Sequence, residues 1–96
     1  MKLPVVLAPD AADDLKRLRA YDRAHVRSEL EGLRADPTRV GRSRVKRLRG
    51  MRRPQYRLRV GDVRVFYDVS DKAIEVLAVV HKKEAQAWLD REGQKE

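Results

Sequence analysis

The sequence predicts an α+β fold, with two N-terminal helices packed on one face of a mainly antiparallel twisted sheet and a short helix at the C-terminus. Three observations carry this expectation. Apolar residues recur at helical spacing as far as Leu33, the period changes from 3.6 to 2 after Pro37, and Gly61-Asp62 separates two cleanly alternating runs. The 96 residues suit one domain spanning 1–96.

Taken in order, Lys2 to Leu7 is rich in Leu and Val, and Pro4 confines it to a sheet edge. Pro9 reads as the first turn of a helix, with Asp10, Asp13 and Asp14 complementing its positive end. Ala11, Leu15 and Leu18 form its narrow apolar stripe. Asp22 is the expected N-cap of a second helix, whose Val26, Leu30 and Leu33 fall on one face and which Asp36-Pro37 ends. A joint near Ala20 to Asp22 makes the two helices an antiparallel pair. Pro37 to Ser43 reads as a basic linker, Val45 to Leu48 as a short strand and Gly50 to Pro54 as a turn. Gln55 to Val60 and Val63 to Val69 form a hairpin closed by Gly61-Asp62. After a turn at Ser70 to Lys72, Ala73 to Val80 is apolar enough for a central strand covered on both faces. Glu84 to Arg91 is the last helix, carrying Ala85, Trp88 and Leu89.

Charge then narrows the function. Hydrophobic residues make up 42% and charged residues 40%, so no apolar run is long enough to span a membrane. The N-terminal apolar run is also too short for a secretory signal, and a cytoplasmic protein is expected. The absence of cysteine excludes disulfides and thiolate metal sites. The net charge of +8 favours an anionic partner. Its distribution says more: from Arg39 to Arg64 eleven basic residues stand against one acid, while the rest of the chain holds 12 bases and 14 acids.

The two-residue turn fixes the hairpin register. Val60 faces Val63, Arg59 faces Arg64, Leu58 faces Val65, Arg57 faces Phe66 and Tyr56 faces Tyr67. Tyr56, Leu58, Val60, Val63, Val65 and Tyr67 then share a core face, whereas Arg57, Arg59, Arg64 and Phe66 share the other. Simple alternation through the next strand adds Ile74, Val76, Ala78 and Val80 to the core face, and Glu75, Leu77, Val79 and His81 to the arginine face. A like-charge pair such as Arg59 and Arg64 costs a few tenths to ~1 kcal/mol unless an anion lies between them. Guanidinium groups bind phosphate oxygens bidentately, and Phe66 offers a stacking surface, so the face reads as a phosphate groove. The plainer alternatives are a solvated outer face, with Phe66 as core filler.

The run from Leu48-Arg49-Gly50 into Tyr56-Arg57-Leu58-Arg59-Val60-Gly61-Asp62-Val63-Arg64-Val65-Phe66-Tyr67, then a Val-rich strand and His81-Lys82-Lys83-Glu84, resembles the RelE/ParE superfamily of bacterial toxin–antitoxin toxins, closest to RelE. The resemblance covers nearly the whole chain. It implies a type II toxin that acts as a metal-independent, ribosome-dependent mRNA endoribonuclease and inhibits translation. In that chemistry the ribose 2′-OH attacks the adjacent phosphorus, leaving a cyclic phosphate and a free 5′-OH, which calls for a base, an acid and cations on the phosphoryl oxygens. Arg64 matches the family's phosphate-stabilising arginine, and Arg57 and Arg59 match basic residues that are often lysines. Lys82 and Lys83 match a basic pair after the last strand, Lys83 standing for a family arginine.

Arginine is no general base near neutral pH, so proton abstraction falls to His81 as the candidate. Its alternative role is that of a strand-end histidine bonded to backbone. The family's stacking tyrosine in the last helix corresponds here to Gln86 or Leu89; Trp88 is either its substitute or a core anchor. His25 reads as a surface residue. Lys46, Arg47, Arg49, Arg52, Arg53, Phe66 and Lys82 are the expected RNA contacts. No cofactor and no metal are expected.

The resemblance further implies a cognate antitoxin, acidic and partly disordered, with the ribosome and mRNA as partners and operator DNA bound only through the toxin–antitoxin complex. Two competing functions remain: a ParE-like inhibitor of DNA gyrase without nuclease activity, and a plain RNA-binding module with salt-dependent affinity.

Overall fold

A computed structural model describes residues 2–40 and 44–96. The linker positions Gly41, Arg42 and Ser43 lie outside the described residues, as does Met1. The elements are β1 (Val5–Leu7), α1 (Pro9–Arg17), α2 (Ala20–Leu33), β2 (Val45–Arg47), β3 (Met51–Arg53), β4 (Tyr56–Val60), β5 (Val63–Val69), β6 (Ile74–His81), a 3-10 turn (Lys82–Glu84), α3 (Ala85–Glu92) and β7 (Gln94–Lys95). Five strands form one sheet in the order β1-β6-β5-β4-β2, and β3 pairs with β7 in a second, two-stranded sheet. Only β1 runs parallel to its neighbour in the larger sheet. The predicted α+β architecture is therefore the observed one.

Pro9 sits in the first turn of α1, Asp10 beside it, with Lys16 and Arg17 in the last turn, so both helix ends are electrostatically complemented. Ala11 and Leu15 are its buried residues. Asp14 Oδ2 accepts the Val79 N–H at 3.0 Å. Because β1 pairs only with Ile74, Glu75 and Val76, this carboxylate satisfies a β6 amide beyond its reach. Helix α2 starts earlier than expected: its N-cap is Arg19, and Asp22 lies inside the first turn, where it accepts from Arg19 Nε at 3.1 Å. An acid in that turn favours the helix through its dipole without serving as the cap. Val26, Leu30 and Leu33 are buried as the spacing predicts.

These helices cover the sheet face carrying Leu58, Val60, Val63, Val65, Tyr67, Ile74, Val76 and Val79, which with Ala11, Leu15, Val26, Leu30, Leu33 and Val45 make one core. Tyr67 is wholly buried there and donates its hydroxyl to the Pro37 carbonyl at 2.8 Å. Burial pushes the phenol's pKa well above its ordinary value, so it stays a donor. The opposite face is closed by α3, whose Trp88 ring stacks on Phe66 at 4.9 Å and 7°. Strand β6 is thus covered on both sides, as its composition predicts.

The β4–β5 register is the predicted one at all five pairs, with Gly61 at φ 58° in the turn. The β5–β6 register departs from simple alternation. Tyr67 faces Val76 but Phe66 faces Ala78, so Leu77 is an extra residue in β6. Beyond this bulge the parity reverses: Val79 joins the helix-packed core, Val80 faces Arg64, and His81 faces Val63. The expected placement of Val79 and His81 on the arginine face, and of Ala78 and Val80 on the core face, is corrected accordingly.

A second correction concerns Gly50 to Pro54. The turn is confined to Arg49 and Gly50, the latter at φ 74°, and Met51–Arg53 forms β3 against Gln94–Lys95. The partner strand follows α3 and carries no alternating pattern, so the pairing has no sequence signal. Gly93 makes the approach possible: a Cβ there would come within 2.5 Å of Leu89 O and of Met51 Cε.

Candidate functional site

The loop end of the β4–β5 hairpin and the adjoining face of α2 enclose an open cleft of about 540 Å³, lined by His25, Glu29, Arg44, Arg59, Val60, Gly61, Asp62, Arg64 and Lys82. Four cations against two carboxylates leave it positive. Register explains the pairing at its centre: Arg59 and Arg64 are directly opposed across the antiparallel pair, two residues from the turn. Arg64 Nη1 donates to Gly61 O at 2.8 Å and to Val63 O at 3.1 Å, which folds its side chain back over the turn. On the other flank the Arg59 N–H donates to Arg44 O at 2.7 Å, and Glu29 of α2 forms an ion pair with the Arg44 guanidinium.

The turn is itself anchored. Lys82 N–H donates to Asp62 O at 2.7 Å, and Lys82 Nζ lies 3.2 Å from the Asp62 carboxylate. The hydrogen bond from the Lys82 ammonium, then its charge, hold the Asp62 carboxyl below its ordinary pKa, His81 and Arg64 contributing smaller amounts. Burial, then the charge of Arg59, lowers the pKa of Arg64; burial, then Arg64 and Arg59, lowers that of Arg57. The three guanidinium groups remain cationic, and the charges of Arg59 and Arg64 are felt at their neighbours, so the site attracts an anion.

Several expected site residues do not converge on this cleft. Arg57 lies one pleat further in, facing Phe66 and Lys46 across its two neighbouring strands, and is half-buried. His81 ends β6 opposite Val63, and its Nδ1 accepts the Lys83 N–H at 3.2 Å as cap of the 3-10 turn, so the backbone-bonded alternative describes its geometry. Its charge is felt at Asp62 on the cleft rim. Lys83 is exposed on that turn.

The expected RNA contacts also divide. Lys46, Arg47 and Arg49 line a second groove of about 420 Å³ together with Met51, Gln86 and Leu89. Arg47 additionally donates to Leu48 O and Gln55 O and lies 5.4 Å from the Tyr56 ring centroid. Arg52 is exposed on β3. Arg53 is engaged elsewhere, at 3.1 Å from Glu75 and 3.7 Å from Asp68, which makes it a poor phosphate ligand. Phe66 has no exposed surface, so it is the core filler and its use as a stacking platform is withdrawn. Trp88 is correspondingly the anchor of α3.

His25 is exposed, as expected of a surface residue, and the structure adds that it borders the cleft. With Glu29 it falls at i, i+4 and lines the cleft, but which face of α2 meets the hairpin end is decided by packing. Among the described residues, no group of three or more His, Cys, Asp or Glu side chains gathers as a metal site.

An N-terminal helix pair on a mostly antiparallel sheet, with a short C-terminal helix on the other face, is the RelE-like fold. The family described as ParE toxin of the type II toxin–antitoxin system parDE matches residues 5–86. The chain belongs to this family, and so is a toxin–antitoxin toxin of the RelE/ParE superfamily. Its fold is similar to a mutant of the Escherichia coli toxin RelE in the free state (TM-score 0.72, 19% identity, covering 96% of this chain and 99% of that one). It is also similar to the toxin–antitoxin complex RelBE2 of Mycobacterium tuberculosis (TM-score 0.67, 27% identity, 84% and 99%). A third similar structure is the RelB–RelE complex of Methanococcus jannaschii (TM-score 0.67, 21% identity, 86% and 96%). Among curated proteins no sequence matches.

Proposed function

We propose that this toxin is an endoribonuclease that cuts mRNA at the ribosome and so inhibits translation, acting in the cytoplasm. The observation that carries the reading is the opposition of Arg59 and Arg64 in a positive cleft, an arrangement that folding alone disfavours and a phosphodiester would stabilise. In the reaction the 2′-OH loses its proton as the O2′–P bond forms. The P–O5′ bond breaks and O5′ takes up a proton, leaving a 2′,3′-cyclic phosphate and a 5′-OH. Arg59 and Arg64 carry the charge that develops on the non-bridging oxygens, with Lys82 and Arg57 adding to the field. His81, at the end of β6 next to Lys82, is the proton-transfer group by its chemistry. Lys83, Lys46, Arg47, Arg49 and Arg52 meet flanking phosphates.

An acidic antitoxin is the natural partner for the basic Arg39 to Arg64 segment, and two of the similar folds were solved as complexes with RelB-type antitoxins. Operator DNA is then bound through the complex. Among the described residues no helix is long and apolar enough to cross a membrane.

A second reading, inhibition of DNA gyrase without cleavage, is favoured by the match to the ParE family. Brief induction of wild type and Arg64→Ala separates the two. The nuclease reading expects protein synthesis to stop first with wild type and to continue with Arg64→Ala. Early loss of DNA supercoiling with continued translation, unchanged by the substitution, supports gyrase inhibition.

A further inference from the structure

We infer that the Tyr21–His25 edge of α2 receives a nucleobase of single-stranded RNA whose phosphate lies between Arg59 and Arg64, an inference that rests on the nuclease reading above. The five aromatic residues of the chain leave one free for such a contact. Phe66 and Tyr67 are wholly buried, Trp88 is spent on Phe66, and Tyr56 is stacked on Tyr67 at 5.4 Å. Tyr21 is 75% exposed, an exposure the fold does not require.

Its position is not arbitrary. Tyr21, His25 and Glu29 are spaced i, i+4, i+8 and so form one stripe along α2. His25 and Glu29 line the cleft, and Tyr21 extends the stripe by four residues, about 6 Å along the helix. The Tyr21 and His25 rings lie 6.1 Å apart and tilted by 59°, so they form an open corner and not a closed stack. A cationic channel for the backbone with an aromatic face alongside it is the combination by which proteins hold single strands. In this arrangement the arginine pair takes the phosphate, the phenol ring takes the base face, and the imidazole N–H meets the base edge. Tyr21 thereby holds the base next to the scissile bond against His25, whose edge contact supplies the nucleotide bias.

The test compares wild type, Tyr21→Ala, Tyr21→Leu, Tyr21→Phe and Arg64→Ala in a translating extract, reading cleavage rate at limiting toxin and the nucleotide composition around each cut, with thermal unfolding alongside. Tyr21→Ala and Tyr21→Leu are expected to fold normally, to cleave about tenfold more slowly and to lose nucleotide bias, while Tyr21→Phe retains both. If Tyr21→Leu cleaves at the wild-type rate with unchanged bias while Arg64→Ala is inactive, the platform is wrong and the nuclease reading stands. If it cleaves normally but binds a co-expressed protein partner more weakly, Tyr21 serves protein docking and the inference is overturned. If wild type leaves RNA intact, the nuclease reading fails and the platform with it.

Discussion

Arg59 and Arg64 face each other across the β4–β5 hairpin, two residues from its turn, and the pKa of Arg64 is depressed in part by the charge of Arg59. A fold selected for stability alone would place an opposite charge or an apolar residue at one of these positions. Two ion pairs line the same cleft, Glu29 with Arg44 and Asp62 with Lys82.

Inorganic phosphate should therefore stabilise the protein by binding the native cleft. Wild type is expected to unfold at a progressively higher temperature as phosphate is raised at constant ionic strength. An Arg59→Gln/Arg64→Gln double variant should lose that increment. An equal rise in both proteins would mean that phosphate acts elsewhere or through solvent.

The bulge at Leu77 makes neighbouring valines unequal. Val79 is 3% exposed within the helix-packed core, whereas Val80 is half-buried opposite Arg64. Val79→Ala should cost about 2 kcal/mol and Val80→Ala clearly less. Urea midpoints measure both, and the reverse order would restore the unbulged register.

Gly93→Ala should loosen the C-terminal strand without unfolding the domain. The new methyl meets the Leu89 carbonyl and the Met51 side chain, and β7 pairs only with β3. Amide exchange at Glu96, whose N–H donates to Gly50 O at 3.0 Å, is expected to accelerate sharply while β5 and β6 keep their protection. Unchanged exchange at Glu96 would show that the helix end shifts to accommodate the methyl.

Asp68 supplies a pH signature. Burial outweighs its hydrogen bond from the Gln55 N–H at 2.7 Å and the Arg53 charge, so its carboxyl titrates above the ordinary value. The native state holds this proton to higher pH than the unfolded chain, so the contribution of Asp68 favours folding at low pH and is lost as pH rises through the native value. Asp68→Asn, which keeps an oxygen acceptor for Gln55, should gain on wild type as the pH rises from about 4. A gap that narrows as the pH rises would contradict this sign.

How far the sequence can be read depends on where each constraint is local. The Gly61-Asp62 loop fixes its register by itself, so the opposed arginines are legible in the amino-acid order alone. The β6 bulge is not, because Leu77 is turned out of alternation by distant partners: the Asp14 carboxylate on the Val79 amide, and the crevice Leu77 shares with Trp88. Phe66 reads as available because nothing in its own strand announces that α3 folds back over it. His25 reads correctly as a surface residue, but a polar helix face does not say which cleft it borders.

The most direct test of the central claim maps new 5′-hydroxyl ends on cellular mRNA within minutes of inducing wild type or Arg64→Ala. Wild type should produce abundant, codon-phased 5′-hydroxyl ends, and the variant at least about 100-fold fewer. Translation arrest or growth arrest by wild type with no new 5′-hydroxyl ends would contradict the nuclease assignment.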